Sequence, residues 1–116
     1  MTGWSASAAP RFDVRWDTPF EESKARLTQN EQLIAADICR AMAYCGFDAS
    51  CARIPPEYLG LGNVILRQQG RIAVFFEEKT FIAPKAECKK PLKGYLALRV
   101  ARFNPRPDGG FDTELL

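Results

Sequence analysis

The first apolar run of the chain alternates with charged residues. Residues 11–17 read RFDVRWD, in which positions 12, 14 and 16 are apolar. A period of two is typical of a strand with one solvated face, so this segment predicts an edge or hairpin strand. Residues 1–10 are small and polar apart from Trp4, and we expect them to form a flexible N-terminal segment.

A short helix is predicted directly after this strand. Thr18 and Glu21 have the spacing of a capping box, in which each residue satisfies a backbone N–H of the other. Pro19 falls at the first helical position, where its missing N–H is not needed. We therefore predict a helix that ends near Leu27.

A longer helix is predicted between Thr28 and Gly46. Thr28 with Glu31 repeats the capping-box spacing, and Gly46 supplies a C-terminal stop. Between them, an apolar stripe at helical spacing indicates the face that turns to the core. The stripe comprises Ile34, Ile38, Ala41 and Cys45, flanked by Leu33 and Met42.

The second half of the chain predicts three further strands. Residues 62–79 contain two β-branched and aromatic runs about Gln68-Gln69-Gly70, which indicates a hairpin. The second run is apolar on both faces, which is typical of a central strand. Its two faces carry Ile72, Val74 and Phe76, and Ala73 and Phe75. Residues 94–103 alternate Leu96, Leu98 and Val100 with Ala97, Arg99 and Ala101, and predict one more strand.

Turn-forming residues predict irregular segments around these strands. Residues 47–61 contain Pro55-Pro56 and Gly60, and we expect a loop with at most one helical turn at 56–59. The last stretch, NPRPDGGFDTELL, holds two prolines and two glycines, so residues 107–116 are predicted to be a C-terminal tail, either a loop or a free end.

Together these elements predict an α+β fold, with one long and one short helix packed on an antiparallel sheet of about four strands. A single domain would span residues 11–106. We expect Ile38, Val74 and Leu98 to be buried together, because the helix stripe and the inward strand faces have no other apolar surface to cover.

Composition is that of an ordinary globular domain. The chain has 116 residues, of which 47% are hydrophobic and 26% are charged. No apolar run approaches the ~20 residues that a membrane span needs, so we predict no membrane association. The first residues lack the basic and apolar regions of a secretory signal, which predicts a cytoplasmic location.

Residue types restrict the chemistry that is available. Histidine is absent, which excludes mechanisms that need an imidazole base or ligand. The cysteines lack the close paired spacing of structural zinc ligands, so we interpret them as small buried hydrophobes and predict neither a metal nor a cofactor. These cysteines are Cys39, Cys45, Cys51 and Cys88.

One candidate catalytic pair lies at the end of the strand in RIAVFFEEKTF. Glu77 and Lys79 are two apart, so their side chains leave the same face roughly 7 Å apart and could share a phosphate or a metal ion. With the preceding AADICRAMAYCGFDAS as an opening helix, the order of helix, hairpin and Glu-x-Lys strand resembles the core of the PD-(D/E)xK nuclease superfamily. The resemblance implies Glu77 and Lys79 as catalytic candidates.

The resemblance also implies an aspartate on the strand before Glu-x-Lys, because one carboxylate does not hold a catalytic divalent ion against water. That strand offers Asn63 and no acid, and the nearest upstream aspartate, Asp48, falls in a predicted loop. A degenerate nuclease-like protein is therefore one hypothesis, alongside a charged strand end with no catalytic role.

Positive charge is concentrated in residues 79–106, which hold eight basic residues and one acidic residue in a chain of net charge +2. Aromatic residues interleave with these bases, a mixture that suits nucleic acid or an acidic protein surface. The predicted binding residues are Lys85, Lys89, Lys90, Lys93, Tyr95, Arg99, Arg102 and Phe103.

The leading interpretation is a small non-catalytic, nucleic-acid-associated module that binds through this basic C-terminal half. The alternative is a protein-interaction module, such as a small inhibitor or adaptor, that docks a complementary charged surface. A solvated lysine-rich loop that keeps the protein in solution would give the same pattern. Binding to a phosphate backbone would weaken steeply as salt rises.

Overall fold

The computed structural model describes residues 11–54, 64–81 and 92–116, which form an α+β fold. The helices are α1 (Thr18–Ala25) and α2 (Gln29–Cys45). The strands are β1 (Asp13–Trp16), β2 (Cys51–Ile54), β3 (Val64–Gln69), β4 (Ile72–Phe81), β5 (Leu92–Pro105) and β6 (Phe111–Leu115). Neither helix is long and apolar enough to cross a membrane.

All six strands belong to one mixed sheet. Its order is β1-β5-β4-β3-β2, and β6 also pairs with β5. β1 runs parallel to the first half of β5, and β6 runs antiparallel along the second half. Since β4 occupies the other edge of β5, β1 and β6 share its outer edge.

The prediction of an antiparallel sheet with about four strands is therefore wrong in two respects. The sheet has six strands in the described chain, and β1 runs parallel to β5. The helical connection that follows β1 allows it to lie parallel to β5. β2 lies in the segment predicted as a loop, because two prolines follow it directly. β6 lies in the segment predicted as a C-terminal tail, a loop or a free end, because all five of its side chains are exposed and give no apolar alternation to detect.

The second predicted capping box is confirmed and the first is wrong. The Thr28 hydroxyl accepts a hydrogen bond from the Glu31 N–H at 3.2 Å, and the Glu31 carboxylate accepts one from the Thr28 N–H at 3.0 Å. At α1, the N-cap residue is Asp17, with no side-chain cap bond. The Glu21 carboxylate instead accepts a hydrogen bond from Trp16 Nε1 at 3.3 Å.

Gly46 ends α2 as predicted, with φ of 67°. The left-handed conformation favours glycine, and space requires it as well. A Cβ atom at this position would lie 2.5 Å from Cε2 of Phe12.

The buried stripe of α2 differs from the predicted one. Ile38 is buried as expected, but Cys45 is exposed and Ile34 is only partly buried. The apolar arc of α2 is wider than one stripe, so helical periodicity alone fits two neighbouring stripes as the buried face. Contact with the sheet determines which of the two stripes is buried. The buried residues are Ala35, Ile38, Cys39 and Met42.

β4 is a central strand that is buried on both faces, as predicted. Ile72, Val74 and Phe76 face the helices in the main core, and Phe75 belongs to a second apolar cluster on the opposite face. Ala73 is fully buried.

A bulge in β5 overturns the predicted alternation of that strand. Phe76 pairs with Ala97 and Phe75 pairs with Arg99, which leaves Leu98 without a partner on β4. The extra residue reverses which side chains face the helices. Val100 therefore joins the main core with Ile38, whereas Leu98 packs against the second cluster, so the predicted burial of Leu98 with Ile38 and Val74 is wrong.

The outer edge of β5 is closed between β1 and β6 by two residues. The Leu116 N–H donates to the Val100 carbonyl at 2.9 Å. The buried Ser23 hydroxyl accepts from the Val100 N–H at 2.9 Å and donates to the Leu116 carbonyl at 2.8 Å. This hydroxyl continues the hydrogen-bond ladder and fastens α1 to the sheet.

The two core positions should respond differently to truncation. Ile38→Ala should lower the free energy of unfolding by about 2–5 kcal/mol, and Leu98→Ala should lower it by less because Leu98 is only partly buried. Chemical denaturation measures both values, with Leu33→Ala as a control at a side chain that is 62% exposed. Equal losses for Leu98 and Ile38 would contradict the bulged register.

Candidate functional site

The predicted basic surface is only partly within the described chain. Lys85, Lys89 and Lys90 lie outside the described residues. Lys93 is exposed, as a binding residue should be. Tyr95 is 6% exposed and packs against Phe76 in the main core, so its ring is not available for stacking on a base.

Arg99 is engaged at the sheet edge. Its Nε and Nη2 atoms donate to the main-chain oxygen of Leu116 at 2.9 and 2.7 Å. With the Ser23 hydroxyl, three hydrogen bonds converge on this one oxygen. Arg99 therefore holds the end of β6 against the sheet.

Arg102 lies on the helix-facing side of β5 and is bound by two carboxylates. Its Nη2 and Nε atoms lie 2.6 and 2.9 Å from the Glu31 carboxylate, and its Nη1 atom lies 2.8 Å from Glu114. The hydrogen bonds from Arg102, together with the bond from the Thr28 N–H, lower the pKa of Glu31 from its usual 4.5 to about 2. Hydrogen bonds from Glu31 and then Glu114 raise the pKa of Arg102.

Other arginines of the described chain are also paired. Arg106 lies 3.4 Å from Asp108 and 3.3 Å from Asp112. Arg53 lies 2.6 Å from Glu78. The charges of Arg53, Arg102 and Arg106 are therefore balanced by carboxylates within the molecule.

The structure brings three of the predicted residues together and separates the others. Lys79, Lys93 and Tyr95 line a polar hollow of about 410 Å³ at the β4–β5 end of the sheet. Arg99 and Arg102 lie further along β5, on opposite faces of the sheet. Phe103 is partly buried beside them.

The nuclease candidates lie on one face, as predicted for residues two apart. Lys79 Nζ is 3.8 Å from Glu77 Oε1. Glu77 pairs across strands with Val64, which belongs to the cluster on the face away from the helices. Asp48 contacts Arg67 on the helix-facing side, so it does not approach Glu77.

Residues 11–54, 64–81 and 92–116 contain no group of three acidic or thiol side chains arranged to hold a metal ion. Within the described chain, Glu77 and Lys79 form an ion pair at a strand end with no second carboxylate supplied by Asp48.

Arg67 is a buried arginine, 7% exposed, that was not among the predicted site residues. Its guanidinium donates to the Gly46 carbonyl and the Asp48 carboxylate, each at 3.0 Å. Hydrogen bonds from the Ser50 N–H and then from Arg67 lower the pKa of Asp48. Arg67 thus joins the C-terminus of α2 to β3, where a cation is favoured by the helix dipole. The sequence feature that could have identified Arg67 is a basic residue at an inward-facing position of β3.

A second feature was missed entirely: an apolar groove of about 370 Å³ where β1, α1 and α2 meet. One wall is a helical stripe of α2 and the other is formed by alternate side chains of β1 and the residue before it. The α2 stripe is Ala36, Cys39, Arg40 and Ala43. The remaining lining residues are Phe12, Asp13, Val14, Trp16, Phe20 and Lys24.

The groove exposes apolar side chains that the sequence pattern assigned to a covered strand face. Trp16 is 51% exposed, and Val14 is only partly buried. Burial in the groove wall raises the pKa of the Cys39 thiol to about 11, so this cysteine stays protonated at neutral pH. The cationic side chains at the groove, Lys24 and Arg40, come from different helices.

Comparisons with protein-family models, with curated proteins and with solved structures find no match to this chain.

The Glu31–Arg102 pair predicts how stability depends on pH. The folded pKa of Glu31 is about 2 and its usual value is 4.5, so the unfolded chain binds a proton in this interval that the folded chain does not. The stabilisation is complete above pH 4.5 and is lost as the pH falls towards 2. It amounts to at most about 3.5 kcal/mol, at roughly 1.4 kcal/mol per pKa unit.

Urea unfolding from about pH 6 to about pH 2.5 measures this contribution. Glu31→Gln should be less stable at the upper end and should lose less stability on acidification than the original chain. Glu22→Gln, at an exposed carboxylate of α1, is the control. Parallel pH profiles for the original chain and Glu31→Gln would contradict the assigned role of Glu31.

Proposed function

We propose that this chain is a non-catalytic protein-interaction module and that its partner surface is acidic. The observation that carries the proposal is the groove between β1, α1 and α2. It combines exposed apolar side chains with Lys24 and Arg40 at its margin. Apolar surface surrounded by charge is the usual composition of a protein-binding site.

The arrangement of the arginines favours a protein partner over a nucleic acid. A phosphate that bound Arg102 would have to displace two carboxylates, and one that bound Arg99 would have to displace the Leu116 carbonyl. Nucleic-acid affinity depends on the number of phosphates that lysines and arginines neutralise. Of the predicted binding residues within the described chain, only Lys93 and Arg99 are exposed, and Arg99 is held by the Leu116 carbonyl.

A phage-displayed library of random peptides tests this proposal. We expect the selected peptides to be rich in acidic and large apolar residues, because these match the margin and the lining of the groove. Reversing both groove charges, with Lys24→Glu and Arg40→Glu, should abolish the selection. The matched control is Arg26→Glu with Arg71→Glu, which reverses two exposed charges that neither line the groove nor belong to the predicted binding residues.

Titration with fluorescent DNA and RNA oligonucleotides at several salt concentrations is the opposing measurement. We expect weak binding with a shallow salt dependence, because each phosphate contact contributes about −0.9 to the slope of log affinity against log salt on duplex DNA. Tight binding with a steep slope, lost on replacing Lys89, Lys90 and Lys93 by glutamine, would overturn the proposal. It would establish the basic C-terminal half as a nucleic-acid site.

A further inference from the structure

We propose that the partner docks as an extended strand on the outer edge of β1 and inserts large apolar side chains into the groove. Carboxylates of that strand would meet Lys24 and Arg40. This inference rests on the proposed function and specifies the conformation and the chemistry of the partner segment.

The edge of the sheet provides the backbone partners. β1 is the terminal strand of the sheet, and it pairs with β5 along one edge. Among the described residues, no strand pairs with the other edge of Asp13–Trp16. An unpaired edge presents N–H and C=O groups to which an extended peptide can add by main-chain hydrogen bonds.

The groove provides side-chain pockets beside that edge. Val14 and Trp16 alternate along the strand, and the α2 stripe of Ala36, Cys39 and Ala43 faces them across the groove. A strand added to β1 would direct every second side chain to the same side of the sheet as Val14 and Trp16. Strand addition therefore brings alternate side chains of the partner into the apolar lining.

Charge at the groove favours an acidic segment. No carboxylate of the described chain lies within ion-pair distance of Lys24. Arg40 lies 3.5 Å from Asp37, and both side chains are more than half exposed, so this pair is weak. Asp13, the acidic residue that lines the groove, is paired with Arg15 at 2.8 Å. Among the residues that line the groove, the net charge is positive, and the Glu21 carboxylate lies at the Trp16 end, 3.3 Å from Trp16 Nε1.

A synthetic probe peptide with alternating glutamate and large apolar residues tests the inference. Fluorescence anisotropy at low salt should show binding that weakens about tenfold or more when Lys24 and Arg40 are both reversed to glutamate. The control variant, Arg26→Glu with Arg71→Glu, should bind the peptide with nearly unchanged affinity.

Backbone methylation of the probe separates strand addition from other modes. Methyl groups on alternate peptide nitrogens remove donors and leave the side chains in place. In an added strand, alternate N–H groups point towards β1 and away from it. Methylation of the nitrogens that point towards β1 should weaken binding about tenfold, and methylation of the nitrogens that point away should have little effect. Amide hydrogen exchange of β1 should slow when the unmethylated peptide binds.

The outcomes separate the two proposals. Binding that depends on Lys24 and Arg40, with equal effects of both methylation patterns and unchanged exchange in β1, would overturn strand addition and leave the interaction module standing. Failure of all acidic peptides to bind would overturn both. Saturation of the groove by laurate, with no peptide binding, would overturn both and identify a site for small apolar carboxylates.

Discussion

The bulge at Leu98 determines which side chains of β5 face the helices. Before the bulge, Tyr95 and Ala97 point into the main core, and after it, Val100 does. Without the extra residue, the strict alternation of a strand would turn Arg99 towards the helices and Arg102 away from them. The position of Val100 in the core and the ion pair between Arg102 and Glu31 both depend on this one residue.

Arg102 connects three parts of the structure as a consequence. Glu31 closes the capping box at the start of α2, and Glu114 projects from β6, so one guanidinium ties the helix and the last strand to β5. Two carboxylates surround this cation, and it is not a free positive charge at the surface. The charge pattern of residues 79–106 in the sequence therefore overstates how much of that charge is available to a partner.

Local signals predicted much of the fold because they act within a few residues. The Thr28 capping box, the Gly46 stop and the two apolar faces of β4 follow from neighbouring residues alone. The direction of β1 depends on what it meets far along the chain. The bulge at Leu98 leaves no mark in the alternation of residues 94–103, because apolar residues stand on both sides of it.

The candidate site was harder to predict for the same reason. Lys93 is exposed. The partners of Arg99 and Arg102 are Leu116, Glu31 and Glu114, which are distant in sequence or lie in the segment predicted as a tail. The groove has no sequence motif. It arises where a helical stripe of α2 and alternate residues of β1 are brought side by side by the sheet.

The central claim is that the bulge places Arg102 in an ion pair with α2, so that this arginine is not available to a partner. The coupling free energy between Glu31 and Arg102 tests this claim most directly. A double-mutant cycle with Glu31→Gln and Arg102→Gln, measured by urea unfolding at neutral pH, should give a coupling of about 1–3 kcal/mol, since residues in one hydrogen-bonded network are not additive. Additive effects of the two substitutions would contradict the claim and return Arg102 to the exposed basic surface.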